Sequence, residues 1–328
     1  MKRRQLISAV TAGMALAGMH TWGWAQGSYP AKGRNIRLIV PFAAGGTTDI
    51  VARVVSDPMS RELGSTIVVE NKGGGGGVIG ALDLMRARPD GYTLGVATVS
   101  TTATNPAINP KVGYDPVKNF TPIVNLAATP NVIAVNPSFP AKNHEEFVAE
   151  IKKNPEKYSY ASTGQGSITH MLMELYKSLT GLNVKHIPYR GAGPALNDVV
   201  AGHVPMLFDN LPSSLQFIQA GRLVPIAVAA PQRLAILPDV PTFKELGLEP
   251  VNRMAYYGLV GPEKLPQDVV QVINAAALVA LKEPEVIKRI EDTGSMVIGN
   301  TPAEFAKQIQ DEYQVYREVV EKQGLQIS

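Results

Sequence analysis

Ile36-Arg37-Leu38-Ile39-Val40-Pro41-Phe42-Ala43-Ala44-Gly45-Gly46-Thr47-Thr48-Asp49 is the stretch that decides the fold class. Its apolar run, Ile36 to Val40, reads as a buried strand. Pro41 to Gly46 reads as a turn. Beyond it, Val51, Val54, Val55, Met59 and Leu63 recur on one face and predict a helix over 47–63. A glycine turn that opens a helix presents unpaired N–H groups and the positive end of the helix dipole, so it attracts a carboxylate or phosphate without a basic side chain. About 120 residues later the plan recurs in Ala161-Ser162-Thr163-Gly164-Gln165-Gly166-Ser167-Ile168-Thr169-His170. Neither turn has a P-loop lysine or a nucleophile elbow around its serine, which favours holding a ligand over transforming it.

Working outward, strands at 66–69 and 92–96 and a helix over 78–86 continue a β-α-β-α-β alternation, the pattern of a doubly wound, mostly parallel sheet in an α/β fold. Pro58 predicts a kink or break in the first helix. A passage rich in proline and asparagine, 105–122, interrupts the rhythm, and Asn131 to Val135 restarts it. After one further strand at 256–260 only helices are expected, the last opened by the capping box Thr301-Pro302-Ala303-Glu304. The expected organisation is an export signal over 1–25, a first domain over 26–128, a second over 129–249, and a return to the first over 250–328. Two crossovers near 128 and 250 would form a hinge.

Lys2, Arg3 and Arg4 precede an uncharged run from Gln5 to Ala25, with small residues at Gly23 and Ala25 where a signal peptidase would cut. The strongly apolar part, Leu6 to Met19, is shorter than the ~20 residues that span a bilayer. A periplasmic location after cleavage near Ala25 is therefore expected. Removing that segment leaves 28 basic against 28 acidic side chains. Such a balance gives no reason to expect nucleic acid or an acidic membrane surface as partner. The chain has no cysteine, which rules out disulfides, thiolate metal sites and thiol nucleophiles.

The candidate ligand-binding residues fall at the carboxyl ends of the strands, where α/β proteins bind their ligands. In the first turn they are Phe42, Ala43, Ala44, Gly45, Gly46 and Thr47, with Asp49 expected to stabilise the helix dipole. After the third strand come Thr98 and Ser100, with Thr101 beside them. In the second turn they are Ser162, Thr163, Gly164, Gly166, Ser167 and His170, with Ser167 expected as the helix N-cap. Tyr189 and Arg190, in a third turn, would supply a ring and a charge, or form a surface turn. Asp209 would select an amino or hydroxyl group of the ligand, or cap the next helix. Phe42, Tyr189 and Phe208 leave room for an aromatic acid. Gly75, Gly77 and Gly80 spell a G-x-G-x-x-G, but Val96 to Ser100 offers no acidic residue for a ribose, so no dinucleotide is expected. The run Gly73 to Gly77 is expected to form a flexible loop at the pocket mouth or domain edge, away from the ligand grip. His144, His186 and His203 show no metal-ligand spacing; no metal or cofactor is expected.

Taken together, these residues resemble the extracytoplasmic solute receptors of the tripartite tricarboxylate transporter group, the Bug family. The likeness spans the whole chain after the signal. It is carried by Val40 to Gly46 with Asp49 and Ala52-Arg53, Val69-Glu70-Asn71, Pro89 to Leu94, Tyr114-Asp115-Pro116, Gly166-Ser167 with His170, Pro188 to Gly191 with Pro194-Ala195-Leu196, and Leu237 to Thr242. The resemblance implies a two-lobed flytrap fold and a monomer that delivers a small organic acid to the permease subunits of a tripartite transporter. It also implies that backbone amides of the turns 42–47 and 162–167 grip the ligand carboxylate.

The function expected is thus an exported, non-enzymatic receptor that closes on a small carboxylate. Two alternatives stay open: an exported serine hydrolase using Ser167, His170 and Asp209, and a receptor that feeds a sensor kinase.

Overall fold

The computed structural model describes residues 29–325, so the expected signal over 1–25 lies outside the described residues. The chain opens β1 (Ile36–Val40), α1 (Thr47–Leu63), β2 (Ile67–Asn71), α2 (Val78–Met85) and β3 (Thr93–Thr98). A π-helical turn, Ser100–Thr104, leads into α3 (Asn105–Ile108), and β4 (Phe120–Thr129) follows. Then come β5 (Asn131–Val135), α4 (His144–Lys153), β6 (Ser159–Ser162), α5 (Ile168–Thr180), β7 (Lys185–Pro188), α6 (Ala192–Val200), β8 (Met206–Asn210), α7 (Leu211–Gln219) and β9 (Val224–Ala229). The chain ends β10 (Ala255–Pro262), α8 (Gln267–Ala280), α9 (Pro284–Glu291), β11 (Met296–Val297) and α10 (Pro302–Gln323).

Two sheets result. The first has six strands in the order β11-β4-β10-β3-β1-β2, and the second five in the order β7-β6-β8-β5-β9. β1, β2, β3 and β4 share a direction, as do β6, β7, β8 and β9. The reversed strands include β5 and β10, the first that the chain enters after passing between the sheets, so each lobe is a mixed sheet whose entering strand pairs antiparallel to both its neighbours. The passages are Pro130, between β4 and β5, and the segment between Ala229 and Ala255.

Period-two alternation splits the second lobe's apolar residues between its two faces. Ile133, Val135, Tyr160 and Phe208 join the large cluster that also contains the first lobe's core, while Val132, Ala134, Ala161 and Leu207 pack under α6 and α7 in a second cluster.

Three expectations need correction. Pro58 does not break α1, which is helical throughout from Thr47 to Leu63. Val54, Val55, Met59 and Leu63 around the proline are buried and the helix packs on α8, so tertiary packing overrides one lost hydrogen bond. The passage 105–122 contains α3 and the start of the ten-residue β4, whose Pro122 and Asn125 obscured a strand that lies between β10 and β11. The C-terminal segment also adds a strand after β10, the short β11 paired to Ala127 and Ala128.

Candidate functional site: two glycine turns across a closed cleft

The first turn is braced from behind and left open in front. Asp49 accepts the Gly45 amide at 3.1 Å through Oδ2, and the Arg53 Nε and Asn71 Nδ2 groups at 3.0 Å through Oδ1. Asn71 Nδ2 also donates to the Phe42 carbonyl at 3.1 Å. Burial pushes the Asp49 carboxyl up, but hydrogen bonds from Arg53, Asn71 and Gly45 outweigh it and hold the group below the usual carboxylate range. Gly45, at φ 81°, makes the bend that Asp49 fixes. In the first turn of α1 the N–H groups of Thr47 and Thr48 have no acceptor within the helix.

The second turn is braced by its own amides. Thr163 N–H donates to Thr169 Oγ1 at 3.0 Å, Gly164 N–H to Ser162 Oγ at 3.1 Å, Gly166 N–H to His170 Nδ1 at 3.1 Å, and Ser167 N–H to the Gly164 carbonyl at 3.1 Å. Ser167 caps α5, its hydroxyl accepting the His170 amide. His170 stacks on His186 with ring centroids 4.0 Å apart, and His186 stacks in turn on Tyr160 at 4.9 Å while its Nε2 meets Ser162 Oγ at 2.6 Å. Burial lowers both imidazoles, His186 to about 3, so each is neutral and His170 Nδ1 is free to accept.

The lobes touch through main-chain groups and small hydroxyls. Ala43 N–H donates to the Arg190 carbonyl at 3.1 Å, Thr104 Oγ1 to the Gly166 carbonyl at 2.7 Å, and Ile168 N–H to Ser100 Oγ at 3.0 Å. The Thr47 and Ser213 hydroxyls are 3.0 Å apart. Contacts this close need glycine. A Cβ on Gly73 would lie 2.6 Å from the Arg190 carbonyl oxygen, one on Gly76 2.4 Å from that of Gln165, and one on Gly193 2.4 Å from that of Ala44. The five-glycine run is therefore part of the surface on which the lobes close, against the expectation of a loop at its edge. Gly73 also sits against Ala43 N, inside the first turn's territory.

A cavity of about 10 Å³, the room of about one water, remains between the lobes. Phe42, Gly46, Thr47, Thr98, Ser100 and Thr163, which the sequence names as candidate ligand contacts, are among the residues that line it. Thr48, whose hydroxyl the sequence offers to a helix cap or a ligand, lines it as well, and so do Ile168, Asn210 and Tyr257, which sequence reasoning missed. Tyr257 had no signal beyond its place in a strand that returns to the first lobe. No lining side chain carries a formal charge. Ala43, Ala44 and Gly45 lie on the contact between lobes. Gly164, Tyr189 and Arg190 line a separate open groove of about 440 Å³.

Ser162, Gly166, Ser167 and His170 shape the second turn from within. Asp209 lies beneath the cavity wall, fully buried, accepting the hydroxyls of Ser213 and Ser214 at 2.6 and 2.7 Å; burial raises it to about 6. Phe208 is a core residue stacked on Phe243 and does not reach the cavity. The hydrolase set is not assembled. The Ser167 hydroxyl donates to the Gly164 carbonyl at 2.6 Å, the His170 ring accepts a backbone amide, and Asp209 is bonded to two other serines.

The family model described as TctC, tripartite tricarboxylate transporter family receptor, matches residues 51–325. The chain belongs to that family. Among its relatives is the protein BugT of Bordetella pertussis, 30% identical over 328 residues that cover all of both chains. A solved structure described as a periplasmic transporter is 52% identical and superposes with a TM-score of 0.89, covering 92% of this chain and 100% of that one. MatC from Rhodopseudomonas palustris, solved with bound malate, is 32% identical with a TM-score of 0.85, covering 89% and 100%. This receptor thus shares with periplasmic binding proteins the two-lobed α/β fold. Among the described residues no helix is long and apolar enough to cross a membrane.

Proposed function

We propose that this receptor is exported to the periplasm by its first 25 residues, closes its lobes on a small organic carboxylate, and presents it, without chemical change, to permease subunits of a tripartite transporter. The lobes would be formed by 26–128 with 250–328, and by 129–249, moving about the two passages between sheets. The single observation that carries this reading is the uncharged cavity at the N-terminus of α1, placed between the lobes. There the unpaired amides of Thr47 and Thr48 and the dipole of α1 would receive the carboxylate, while hydroxyls of Thr98, Ser100, Thr163 and Tyr257 would satisfy its other polar groups. Because the second turn's amides at 163, 164, 166 and 167 are already bonded, that turn would contribute the Thr163 hydroxyl and shape instead of an amide grip. The malate held by MatC has the expected chemistry: carboxylates with a hydroxyl.

Closure would couple to capture because residues of both lobes line one cavity, and opening must precede entry since the closed space admits about one water. A thermal-shift screen of ligand-stripped protein over residues 26–328 against mono-, di-, tri- and aromatic carboxylates tests this. At one hundred times the dissociation constant, a bound acid stabilises by about 2.7 kcal/mol, a shift of several degrees. A shift confined to one class supports the reading. No shift across the panel, or consumption of an ester or amide that His170→Ala abolishes, overturns it.

A further inference from the structure

The bonds around Asp209 form a chain that crosses the cleft. Ser213 Oγ lies 2.6 Å from Asp209 Oδ2 and 3.0 Å from Thr47 Oγ1, and Ser213 N–H donates to Thr47 Oγ1 at 3.2 Å. Ser214 Oγ reaches the same carboxylate oxygen at 2.7 Å. A hydroxyl has one hydrogen, so the order is constrained. Ser213 Oγ also lies 2.9 Å from the Asn210 carbonyl, but the shorter contact at 2.6 Å, to a carboxylate oxygen, takes its hydrogen and leaves Ser213 Oγ as acceptor for the hydrogen of Thr47. The second carboxylate oxygen, Oδ1, is buried without a partner, so the group makes its hydrogen bonds on the side that leads to the other lobe.

The placement of these residues gives the chain a mechanical meaning. Thr47 is the first residue of α1, in the first lobe, and Ser213 stands in the first turn of α7, in the second. Two helix N-termini with positive dipole ends therefore meet across the cleft, an arrangement that is repulsive unless something negative lies by them. Asp209, at the end of β8, supplies a carboxylate there.

We propose that Asp209 is the positioning residue of a latch between the lobes: through Ser213 it holds the Thr47 hydroxyl and so fastens α7 to α1 when the cleft closes. The latch rests on the two-lobed reading and not on the identity of the acid. It gives Thr47 a task distinct from ligand contact, since its hydroxyl gives its one hydrogen to Ser213 Oγ and accepts the Ser213 amide, both in α7.

Hydrogen exchange of the protein over residues 26–328, with no acid added, tests the proposal. Two amides report closure: Ala43, which donates to Arg190 of the other lobe, and Ser213, which donates to Thr47. Two report the lobes themselves: Ile36, bonded to Thr66, and Val228, bonded to Pro241. Thr47→Val and Asp209→Leu should each speed exchange at Ala43 and Ser213 about tenfold and leave Ile36 and Val228 unchanged. Thr47→Ser, which keeps the hydroxyl, should restore wild-type exchange. The double variant should exchange no faster than the faster single one, because both cut the same chain. If Asp209→Leu does not fold, Ser213→Ala takes its place in the cycle. Wild-type exchange at Ala43 in both single variants, or effects that multiply in the double, would overturn the latch. If these exchange effects appear while no acid of the thermal-shift panel binds, the latch stands and the carboxylate reading alone falls.

Discussion

The two glycine turns follow one sequence plan and do opposite things with their amides. In the first, side chains from α1 and β2 hold the turn by its Gly45 amide and Phe42 carbonyl, while the Thr47 and Thr48 amides have no acceptor within the helix they open. In the second, Ser162, Thr169 and His170 consume the turn's own amides. Glycine spacing alone does not make an anion site; what matters is whether a neighbouring acceptor takes the N–H groups first. On the proposed reading the first turn would receive the ligand and the second would serve as a rigid wall.

Substitutions should separate the two roles, and the largest effect is expected where the lobes meet. Gly76 has φ 61° and its Cβ would lie 2.4 Å from the Gln165 carbonyl oxygen, a main-chain atom that cannot step aside. Gly76→Ala should weaken binding of the acid found in the screen by roughly 100-fold or more by calorimetry, about 2.7 kcal/mol. Gly46→Ala, at φ −89° with a side-chain neighbour 3.3 Å away, should cost less than about tenfold. Equal losses would mean that closure does not depend on the glycine run.

His170→Ala leaves the buried Gly166 amide without its acceptor, which costs about 1–3 kcal/mol and should lower the melting temperature by several degrees. Asn71→Ala on the first turn should instead act mainly on affinity, because its loss frees the turn proposed to receive the ligand. Melting curves and calorimetry on the pair decide; a reversed pattern would exchange the roles assigned to the turns.

The pH dependence of stability sharpens the contrast further. His186, lowered from 6.5 to about 3, contributes stability that is full above pH 6.5 and is lost as pH falls toward 3. Asp209, raised from 3.8 to about 6, contributes in the other direction: the folded protein keeps its proton between those values, so its stabilising share is present below 3.8 and lost as pH rises through 6. The two oppose each other between about 4 and 6. Denaturant melts at several pH values should show Asp209→Asn losing stability more steeply with acid than the wild type does. The smallest effect is expected at Arg190, whose carbonyl, not its guanidinium, makes the contact with Ala43: Arg190→Ala should change affinity by less than about twofold.

Much of the frame was legible because period and punctuation carry it. The strand-turn-helix at 36–63, the N-cap at Ser167 and the capping box at Thr301 have local causes, and the structure contains them. β4 was illegible because Pro122 and Asn125 interrupt its apolar run and its partners, β10 and β11, come more than a hundred residues later. The candidate site was read in part for the same reason. Phe42, Gly46 and Thr47 belong to a motif, whereas Tyr257 and Asn210 reach the cavity only through sheet pairing. The inward aim of the second turn's amides depends on His170 and Thr169 rotating back onto it, which no spacing announces.

Across the cleft, the clasp uses carbonyls and amides of 43, 166, 168 and 190, two of them met by the hydroxyls of Thr104 and Ser100. Such main-chain atoms are the same whatever residue carries them. Exchanging Thr98 or Thr163, whose hydroxyls line the cavity but bond only within their own lobe, would alter what is recognised and leave the clasp as it is. A frame of this kind separates the evolution of selectivity from the evolution of motion, so one closing mechanism can be inherited by receptors for many different acids.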